Sequence, residues 1–276
     1  MREHRLTEDE RIAFHQTRGY LEIPGALSDE QVDRITAAVD RHAPRFMQPG
    51  FWGLVNAADI LGLDDAFVEL IDCPKVLPKI CDLLGWNIWV YHTHMNVNPP
   101  FPAGAWKPGD PFMYSWHRDG GVMQLPTDAA PALSIKVGFY LTDVGEDGGP
   151  TFIAEGSHLE STLPGQTSLP PNARPMVARR GTAVIFGNRV VHSGLSPNLS
   201  TITRKAVFVA YAYRWIQGLD RQSVAHLAGT TDPVRQQLLG LSSTYRADGR
   251  SGRFYPTEHD VPLRKLFGTV PPIMPP

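Results

Sequence analysis

Two side chains capable of holding a metal ion lie two positions apart in residues 116–121, Trp-His-Arg-Asp-Gly-Gly. The preceding residues, 111–115, are typical of the entry into a strand. Successive side chains of a strand point to opposite faces, so we expect His117 and Asp119 to share a face and Arg118 to point away. One imidazole and one carboxylate on a common face are two of the three ligands in the facial triad that holds non-haem Fe(II).

The third ligand is expected to be a distant histidine on a neighbouring strand. His192 lies 73 residues after Asp119 (192 − 119), and Arg204 follows twelve positions later (204 − 192), just before the apolar run 206–213. Taken singly, an H-x-D pair is a common chance pattern, His192 fits a core histidine and Arg204 fits a surface ion pair. Their order, spacing and strand context together favour one functional constellation.

The composition limits the class of protein. The chain has 276 residues, enough for one large domain with a sizeable core, and its net charge is −2 from 26 basic and 28 acidic residues. No basic stripe indicates a nucleic-acid partner, and no apolar run approaches membrane-spanning length. Two cysteines do not indicate a disulfide framework, and the charged start, residues 1–10, does not have the apolar stretch of a signal peptide. We therefore expect a cytoplasmic protein with no nucleic-acid or membrane partner, whereas its oligomeric state is unknown from the sequence.

The order of the predicted elements indicates the fold class. Capping boxes at 7–10 and 28–31 begin two helices, the second of which is amphipathic to about His42. Strands with a period of two start at Trp86 and recur through residues 133–142, 151–154, 181–186, 189–193 and 204–215, separated by turns rich in glycine and proline. We therefore predict an all-β core with flanking helices, arranged as an antiparallel double-sheet jelly roll. Residues 1–276 form one domain in this prediction, with 217–276 as a lid-like segment.

The strand that starts at Trp86 alternates apolar and polar side chains. Its two predicted faces comprise Trp89, Tyr91, Met95 and Val97 on one side, and His92, His94, Asn96 and Asn98 on the other. A polar face is usually exposed to solvent, but it could equally line a polar cavity. The two histidines favour the cavity.

Residues 44–59 are predicted to be a loop that contains Phe51 and Trp52. These aromatic side chains either pack a small satellite core or line the mouth of a substrate site. We favour packing, because most buried aromatic side chains are structural. In the last predicted strand, the face of Arg204 continues with the small residues Ala206, Ala210 and Ala212 and with Phe208. This face leaves room above the sheet for a buried ligand.

These motifs resemble those of the phytanoyl-CoA dioxygenase family of Fe(II)/2-oxoglutarate-dependent oxygenases. The resemblance is carried by residues 116–119, by the Gly-Gly turn with residues 155–158, and by His192 followed by Arg204. The run 92–100 and the N-terminal elements add weaker support, so the similarity covers roughly residues 10–215. It implies a double-stranded β-helix of the cupin type.

The resemblance also implies roles for individual residues. His117, Asp119 and His192 would be the iron ligands, with no catalytic side chain beyond them. Arg204 would pair with the distal carboxylate of 2-oxoglutarate, which suits a planar and permanently charged guanidinium. His94 lies where the family often has a side chain that contacts this co-substrate, and Ser193 is close to the position of a family serine that does so.

Three positions depart from the family pattern. Arg118 stands between the first two ligands, where the family often has glutamine, and Gly194 stands where its serine usually lies. A family tryptophan on the following strand is replaced, in our interpretation by Gly138. That replacement would enlarge the cavity or leave it to be filled by Lys136 or Tyr140.

The sequence therefore favours an Fe(II)/2-oxoglutarate-dependent dioxygenase that uses O₂ to hydroxylate an unactivated C–H bond of a small molecule, with secondary metabolism as one setting. The alternative is a metal-binding isomerase or lyase of the cupin type without 2-oxoglutarate chemistry, in which Arg204 would bind a substrate carboxylate. An inactive binding module is disfavoured because the ligand set is intact. Candidate substrate contacts are Trp52 and Arg118, although Arg118 also fits a surface or ion-paired residue. Further specificity positions are expected at Phe51, in the loops 123–131 and 161–175, and in the C-terminal segment.

Overall fold

A computed structural model of the protein describes residues 4–47, 50–107, 110, 112–119, 132–160, 163–221, 223–229, 232–241 and 262–267, without the side chain of Ala228. The predicted specificity loop 123–131 and residues 242–261 of the predicted lid lie outside the described residues. Within the described ranges, no helix is both long enough and apolar enough to cross a membrane.

The first helices begin where side chains cap the free backbone amides. Helix α1 (Glu8–Ile12), which continues as a π-helical turn (Ala13–Thr17), and helix α2 (Asp29–His42) both start behind complete capping boxes. Both predicted starts are confirmed. The shorter helices are α3 (Asp65–Val68), α4 (Leu77–Leu84), α5 (Pro233–Leu238) and α6 (Pro262–Phe267).

The described residues form two antiparallel sheets. Their strands are β1 (Tyr20–Ile23), β2 (Val55–Ala58), β3 (Ile88–Asn98), β4 (Ser134–Tyr140), β5 (Phe152–Ala154), β6 (Ala173–Pro175), β7 (Ala183–Gly187), β8 (His192–Ser193) and β9 (Arg204–Tyr213). The major sheet has the order β1-β7-β4-β9-β3-β2, and the minor sheet has the order β6-β5-β8. The fold is the predicted jelly roll, a double-stranded β-helix of the cupin type with flanking helices.

The faces of the major sheet follow from side-chain alternation. Ile135 and Val137 of β4 pack with Val207 and Val209 of β9 in the main hydrophobic core, which also contains Ile35 of α2. The even-numbered residues of β4 and β9 point the other way. This opposite face carries Lys136 and Arg204, so the polar side chains of the sheet point away from the main core and toward the cavity described below.

The predicted faces of β3 are wrong for its first half. The pairing of β3 with β9 shifts between Val90 and His92, which makes Tyr91 the extra residue of a β-bulge. A one-residue shift moves every earlier side chain to the opposite face. Trp89 and Tyr91 therefore lie with Ala210 on the cavity side, while Met95 and Val97 belong to the main core.

Two other predictions need correction. The predicted loop 44–59 contains strand β2, which pairs with β3 and forms an edge of the major sheet. The strand expected to begin at 111–115 and to carry His117 is, within the described residues 112–119, only a single bridge between His117 and His192. Both errors have the same cause, since a short strand is specified by its partner more than by its own residues.

The described parts of residues 217–276 pack on the rest of the domain. Leu238 of α5 and Leu263 of α6 are buried in the main core. The side-chain amide of Gln237 donates to the carbonyl oxygens of Trp86 (2.8 Å) and Ile88 (3.1 Å) at the start of β3. That the whole segment acts as a lid stays a prediction.

Candidate active site

Three ligand atoms converge at one end of the minor sheet. His117, Asp119 and His192 each offer one donor atom, and these atoms lie within 4.8 Å of one another. Asp119 Oδ1 is 3.8 Å from His117 Nε2 and 3.7 Å from His192 Nε2. Two imidazole nitrogens and one carboxylate oxygen in this arrangement match the facial triad of non-haem Fe(II) sites, so the donor set fits the metal implied by the sequence.

The backbone aligns the two imidazoles. The amide of each histidine donates to the carbonyl oxygen of the other at 3.0 Å, and the ring centroids are 4.3 Å apart. His117 Nδ1 lies 2.8 Å from the carbonyl oxygen of Ser115, and His192 Nδ1 lies 3.0 Å from that of Val190. Because a carbonyl only accepts, both Nδ1 atoms carry hydrogen and both Nε2 atoms are left to bind a metal.

The protonation states of Asp119 and His192 suit metal binding. Burial by itself raises the pKa of the Asp119 carboxyl, but Lys136 and the two imidazoles offset it, so the pKa lies below its usual value. Lys136 Nζ is 2.8 Å from Asp119 Oδ1. Burial lowers the pKa of His192 to about 3, and Asp119 opposes this only in part. At neutral pH the carboxylate is therefore ionised and His192 is neutral, as ligands must be.

A cavity of about 450 Å³ lies beside the triad and is lined by residues of both sheets. Arg204 lies at one end of it and is 1% exposed. Its Nη atoms donate to the carbonyl oxygens of Gly149 and Gly194 and to Asn96 Oδ1. No acidic side chain among the described residues pairs with this guanidinium, and its buried Nε has no partner there. A buried cation without a counter-ion is costly, so the arrangement fits a ligand carboxylate.

His94 and Ser193, the other predicted co-substrate contacts, differ in position. His94 lines the cavity, its ring stacks on Phe208 at 4.5 Å, and its buried Nδ1 has no partner in the described part of the chain. Burial, with Lys136 nearby, holds the pKa of His94 well below its usual value. Ser193 does not line the cavity, and its hydroxyl, which has one hydrogen to donate, lies against the carbonyl oxygens of Tyr114 and Leu195. Since Ser193 follows His192 on a strand, it points away from the ligand side.

The two predicted substrate contacts also lie off the cavity lining. Trp52 packs edge-on against Phe101, with ring centroids 4.6 Å apart, which agrees with the packing interpretation. Arg118 points away from the ligands, and its guanidinium donates to the carbonyl oxygens of Ser157, Glu160 and Arg189 at 2.8–3.0 Å. The geometry favours a structural role for Arg118.

The space above Gly138 is filled by Phe208, and not by Lys136 or Tyr140. Gly138 and Phe208 are neighbours across β4 and β9, and a Cβ added to Gly138 would lie 2.7 Å from the Phe208 ring. The glycine therefore lets the ring lie flat over the sheet, against His94. The sequence contained the signal, because Phe208 was already on the predicted face of Arg204.

Sequence reasoning missed two contacts that position Arg204 and Asp119. Asn96 accepts a hydrogen bond from Arg204, and Lys136 pairs with Asp119. Alternation placed Asn96 on the histidine face and Lys136 on the polar face of its strand, so their direction was foreseeable. Their partners were not, because each pair joins residues distant in the chain.

Comparisons with known proteins agree with this geometry. A family model described as phytanoyl-CoA dioxygenase (PhyH) matches residues 15–206. Ectoine dioxygenase from Streptomyces avermitilis is 21% identical over 235 residues, which cover 72% of this chain and 77% of the relative. L-proline trans-4-hydroxylase from Streptomyces griseoviridis is 22% identical over 228 residues, which cover 70% of this chain and 82% of the relative.

A solved structure of another protein has the same fold. HygX from Streptomyces hygroscopicus, with nickel and 2-oxoglutarate bound, superposes with a TM-score of 0.61 at 16% identity, covering 77% of this chain and 89% of that one. The family match spans more than half of the 276 residues. This chain therefore belongs to the phytanoyl-CoA dioxygenase family and is an Fe(II)/2-oxoglutarate-dependent dioxygenase, with Fe(II), 2-oxoglutarate and O₂ as its cofactor and co-substrates.

Proposed function

We propose that this enzyme hydroxylates an unactivated C–H bond of a small molecule. His117, Asp119 and His192 hold the Fe(II), and Arg204 binds the distal carboxylate of 2-oxoglutarate. The observation that carries the proposal is that one cavity contains both a converging ligand triad and a buried arginine without an acidic partner among the described residues.

When bound, Fe(II) and 2-oxoglutarate together activate O₂, so that one oxygen atom enters the substrate, the other enters succinate, and CO₂ leaves. The side chains of this protein hold and orient the reactants and do not supply the redox chemistry. The triad keeps its two Nε2 atoms and Asp119 Oδ1 turned to one point, because the Nδ1 atoms are engaged by backbone carbonyls.

The cavity walls orient the co-substrate and limit access of water. Arg204 is fixed by two backbone carbonyls and by Asn96, which keeps its direction constant before a ligand arrives. The apolar side chains of Leu54, Phe186 and Phe208 form part of the lining. His94 stacks on Phe208, and its unpartnered Nδ1 supports a contact with the co-substrate.

A small-molecule substrate is supported by the two relatives, whose names state an action on ectoine and on L-proline. We propose secondary metabolism as a setting for this chain. The alternative of an isomerase or lyase without 2-oxoglutarate chemistry does not agree with membership of a 2-oxoglutarate-dependent family. Arg204 therefore serves the co-substrate in our proposal.

The test is a substrate screen that measures stimulated succinate formation. Purified protein with Fe(II), 2-oxoglutarate and O₂ is incubated with a library of small polar metabolites, and succinate and product masses are followed together. We expect a hit to yield one succinate for each product that gains one oxygen atom. Product that accumulates without 2-oxoglutarate, or with no succinate, would contradict the proposal.

A further inference from the structure

The polar face of the major sheet has two ends, and the proposed function uses only one. Arg204 of β9 pairs with Asn98 of β3, whereas His92 pairs with Ala210, six residues further along β9 (210 − 204). Lys136, which contacts Asp119, pairs with Ala210 from the other side. His92 therefore lies in the same row of the sheet as Lys136 and on the far side of the cavity from Arg204. With 2-oxoglutarate at the Arg204 end, this is the end that remains for a substrate.

A buried carboxylate fixes the ring of His92. His92 Nδ1 lies 2.6 Å from Asp220 Oδ1, and the other oxygen of Asp220 accepts from the amide (2.7 Å) and the hydroxyl (2.8 Å) of Thr93. Only 5% of the Asp220 side chain is exposed. A carboxylate accepts hydrogen bonds, so Nδ1 carries the ring hydrogen and the Nε2 of a neutral ring keeps its lone pair.

Hydrogen bonds made by residues on both sides of Asp220 position it against β3. The amide of Leu219 donates to the carbonyl oxygen of Tyr91 at 2.8 Å, which joins the C-terminal segment to the bulge of β3. Three residues after Asp220, the hydroxyl of Ser223 donates to Asp59 Oδ2 at 2.5 Å. These contacts on both sides of Asp220 hold its carboxylate against β3 and distinguish the pair from a loose surface ion pair.

His92 itself lines the cavity and stacks beside His94, with ring centroids 5.2 Å apart. Among the described residues, nothing is hydrogen-bonded to its Nε2. We propose that His92, positioned by Asp220, binds the substrate by accepting a hydrogen bond at Nε2 from an O–H or N–H group. The substrate class is therefore a small molecule with a hydroxyl or amine hydrogen close to the C–H bond that reacts. The inference rests on the proposed function.

The first experiment requires no substrate and measures where the ring hydrogen of His92 lies. Zn(II)-loaded protein labelled with ¹⁵N-histidine is studied by long-range ¹H–¹⁵N correlation, with the His92 signals assigned by their loss in His92→Gln. We expect hydrogen on Nδ1 alone. In Asp220→Asn the amide oxygen stays with the two Thr93 donors and the amide nitrogen faces Nδ1, so the hydrogen should move to Nε2.

The matched control is Asp72→Asn, which weakens the pair of Asp72 with Arg235 (2.8 and 3.1 Å) outside the cavity lining. It should leave the hydrogen of His92 on Nδ1. The inference would be overturned if the wild-type protein carried the His92 hydrogen on Nε2 or on both nitrogens. It would also be overturned if the hydrogen stayed on Nδ1 in Asp220→Asn.

The second experiment uses the compound that gives stimulated succinate in the screen. In Asp220→Asn and His92→Asn, the KM for this compound should rise at least tenfold and less of the 2-oxoglutarate turnover should be coupled to product, while the KM for 2-oxoglutarate stays unchanged. His92→Gln should recover part of the affinity, because its amide oxygen reaches the position of Nε2, whereas the shorter asparagine reaches only that of Nδ1.

The two proposals fail in different ways. If the wild-type enzyme forms succinate normally and His92→Asn has the same substrate KM and the same coupling, only the role of His92 is overturned. If no compound stimulates succinate formation, the proposed hydroxylation fails, and the role of His92 in substrate binding fails with it. Thermal unfolding of each variant identifies any loss that comes from misfolding.

Discussion

The two ends of the cavity are built in different ways. At the Arg204 end, a permanently charged side chain is held by the backbone carbonyls of Gly149 and Gly194 and by Asn96, all close to the strands of the jelly roll. At the His92 end, an imidazole is held by Asp220, which comes from the segment that follows the last strand. The arrangement at Arg204 depends on the strands of the jelly roll, whereas the arrangement at His92 depends on a segment that follows them.

In our proposals, this difference separates the binding of the co-substrate from the choice of substrate. The Arg204 end can stay the same while the segment around Asp220 changes, since the two share no hydrogen bond among the described residues. A fold that hosts several functions can vary one end of a cavity in this way while the other end stays constant. Substitutions at one end should therefore change the binding of one reactant, whereas substitutions in the metal site between the two ends should impair iron binding and turnover together.

The largest effect is expected from Asp119→Ala, which removes the only carboxylate of the triad. Two imidazoles alone bind iron poorly, so we expect loss of both bound iron and substrate-stimulated succinate, measured by elemental analysis and by chromatography. Asp143→Ala is the control, because Asp143 pairs with Arg179 at the surface. Near-normal succinate formation by Asp119→Ala would disprove the triad.

The next largest effect is expected from Arg204→Ala at the co-substrate end. Loss of a buried partner for a carboxylate costs on the order of 2–5 kcal/mol, so the affinity for 2-oxoglutarate should fall far more than that for iron, as measured by calorimetry. Lys205→Ala is the matched control, since Lys205 is the next residue and pairs with Asp40 outside the cavity. Unchanged 2-oxoglutarate affinity would point to Lys136 as the true partner.

Gly138→Ala, which lies between the two ends of the cavity, should have a smaller effect on the binding of both reactants. The added methyl group would lie 2.7 Å from Phe208, so the ring must move away from His94. Overpacking of this kind costs about 1–3 kcal/mol. We expect a lower Tm and several-fold higher KM values for both reactants, whereas Gly229→Ala, where a Cβ meets nothing within 4 Å, should change neither. A higher KM for only one reactant would indicate that Phe208 serves one end alone.

If residues 217–276 act as a lid, proteolysis of that segment should be slower when metal, 2-oxoglutarate and substrate are bound. Cleavage between Gly218 and Pro276 is followed with and without metal, 2-oxoglutarate and substrate, and cleavage in the loop 163–171 serves as the reference. We expect protection to be greatest with substrate, because Asp220 contacts His92 at the proposed substrate end. Equal cleavage rates in all states would count against a lid.

The smallest effect on turnover is expected from Arg118→Ala. Arg118 donates to three backbone carbonyls away from the cavity, so its loss should lower the free energy of unfolding by about 1–3 kcal/mol while the substrate KM stays the same. Arg174→Ala, at an exposed arginine, should change neither quantity. A raised substrate KM in Arg118→Ala would restore Arg118 as a substrate contact.

The sequence by itself determined the features that depend on neighbouring residues or on one regular strand. The capping boxes before α1 and α2 are local hydrogen-bond patterns, and both are present. The apolar face of β4 follows from simple alternation. The order of His117, Asp119 and His192 predicted a metal site, since two imidazoles and one carboxylate are the donor set of the non-haem Fe(II) triad, and the family resemblance added Arg204.

Only the tertiary structure decided which residues meet around that constellation. The bulge at Tyr91 reverses the predicted faces of Trp89 and Tyr91, because one extra residue in a strand is invisible to a period of two until its partner is known. Trp52 packs on Phe101, and Asp220 reaches His92 across 128 residues, through contacts that no local pattern encodes. Pairings between distant residues depend on the packing of the whole chain, and for that reason the end of the cavity that we propose for the substrate could be identified only in the folded protein.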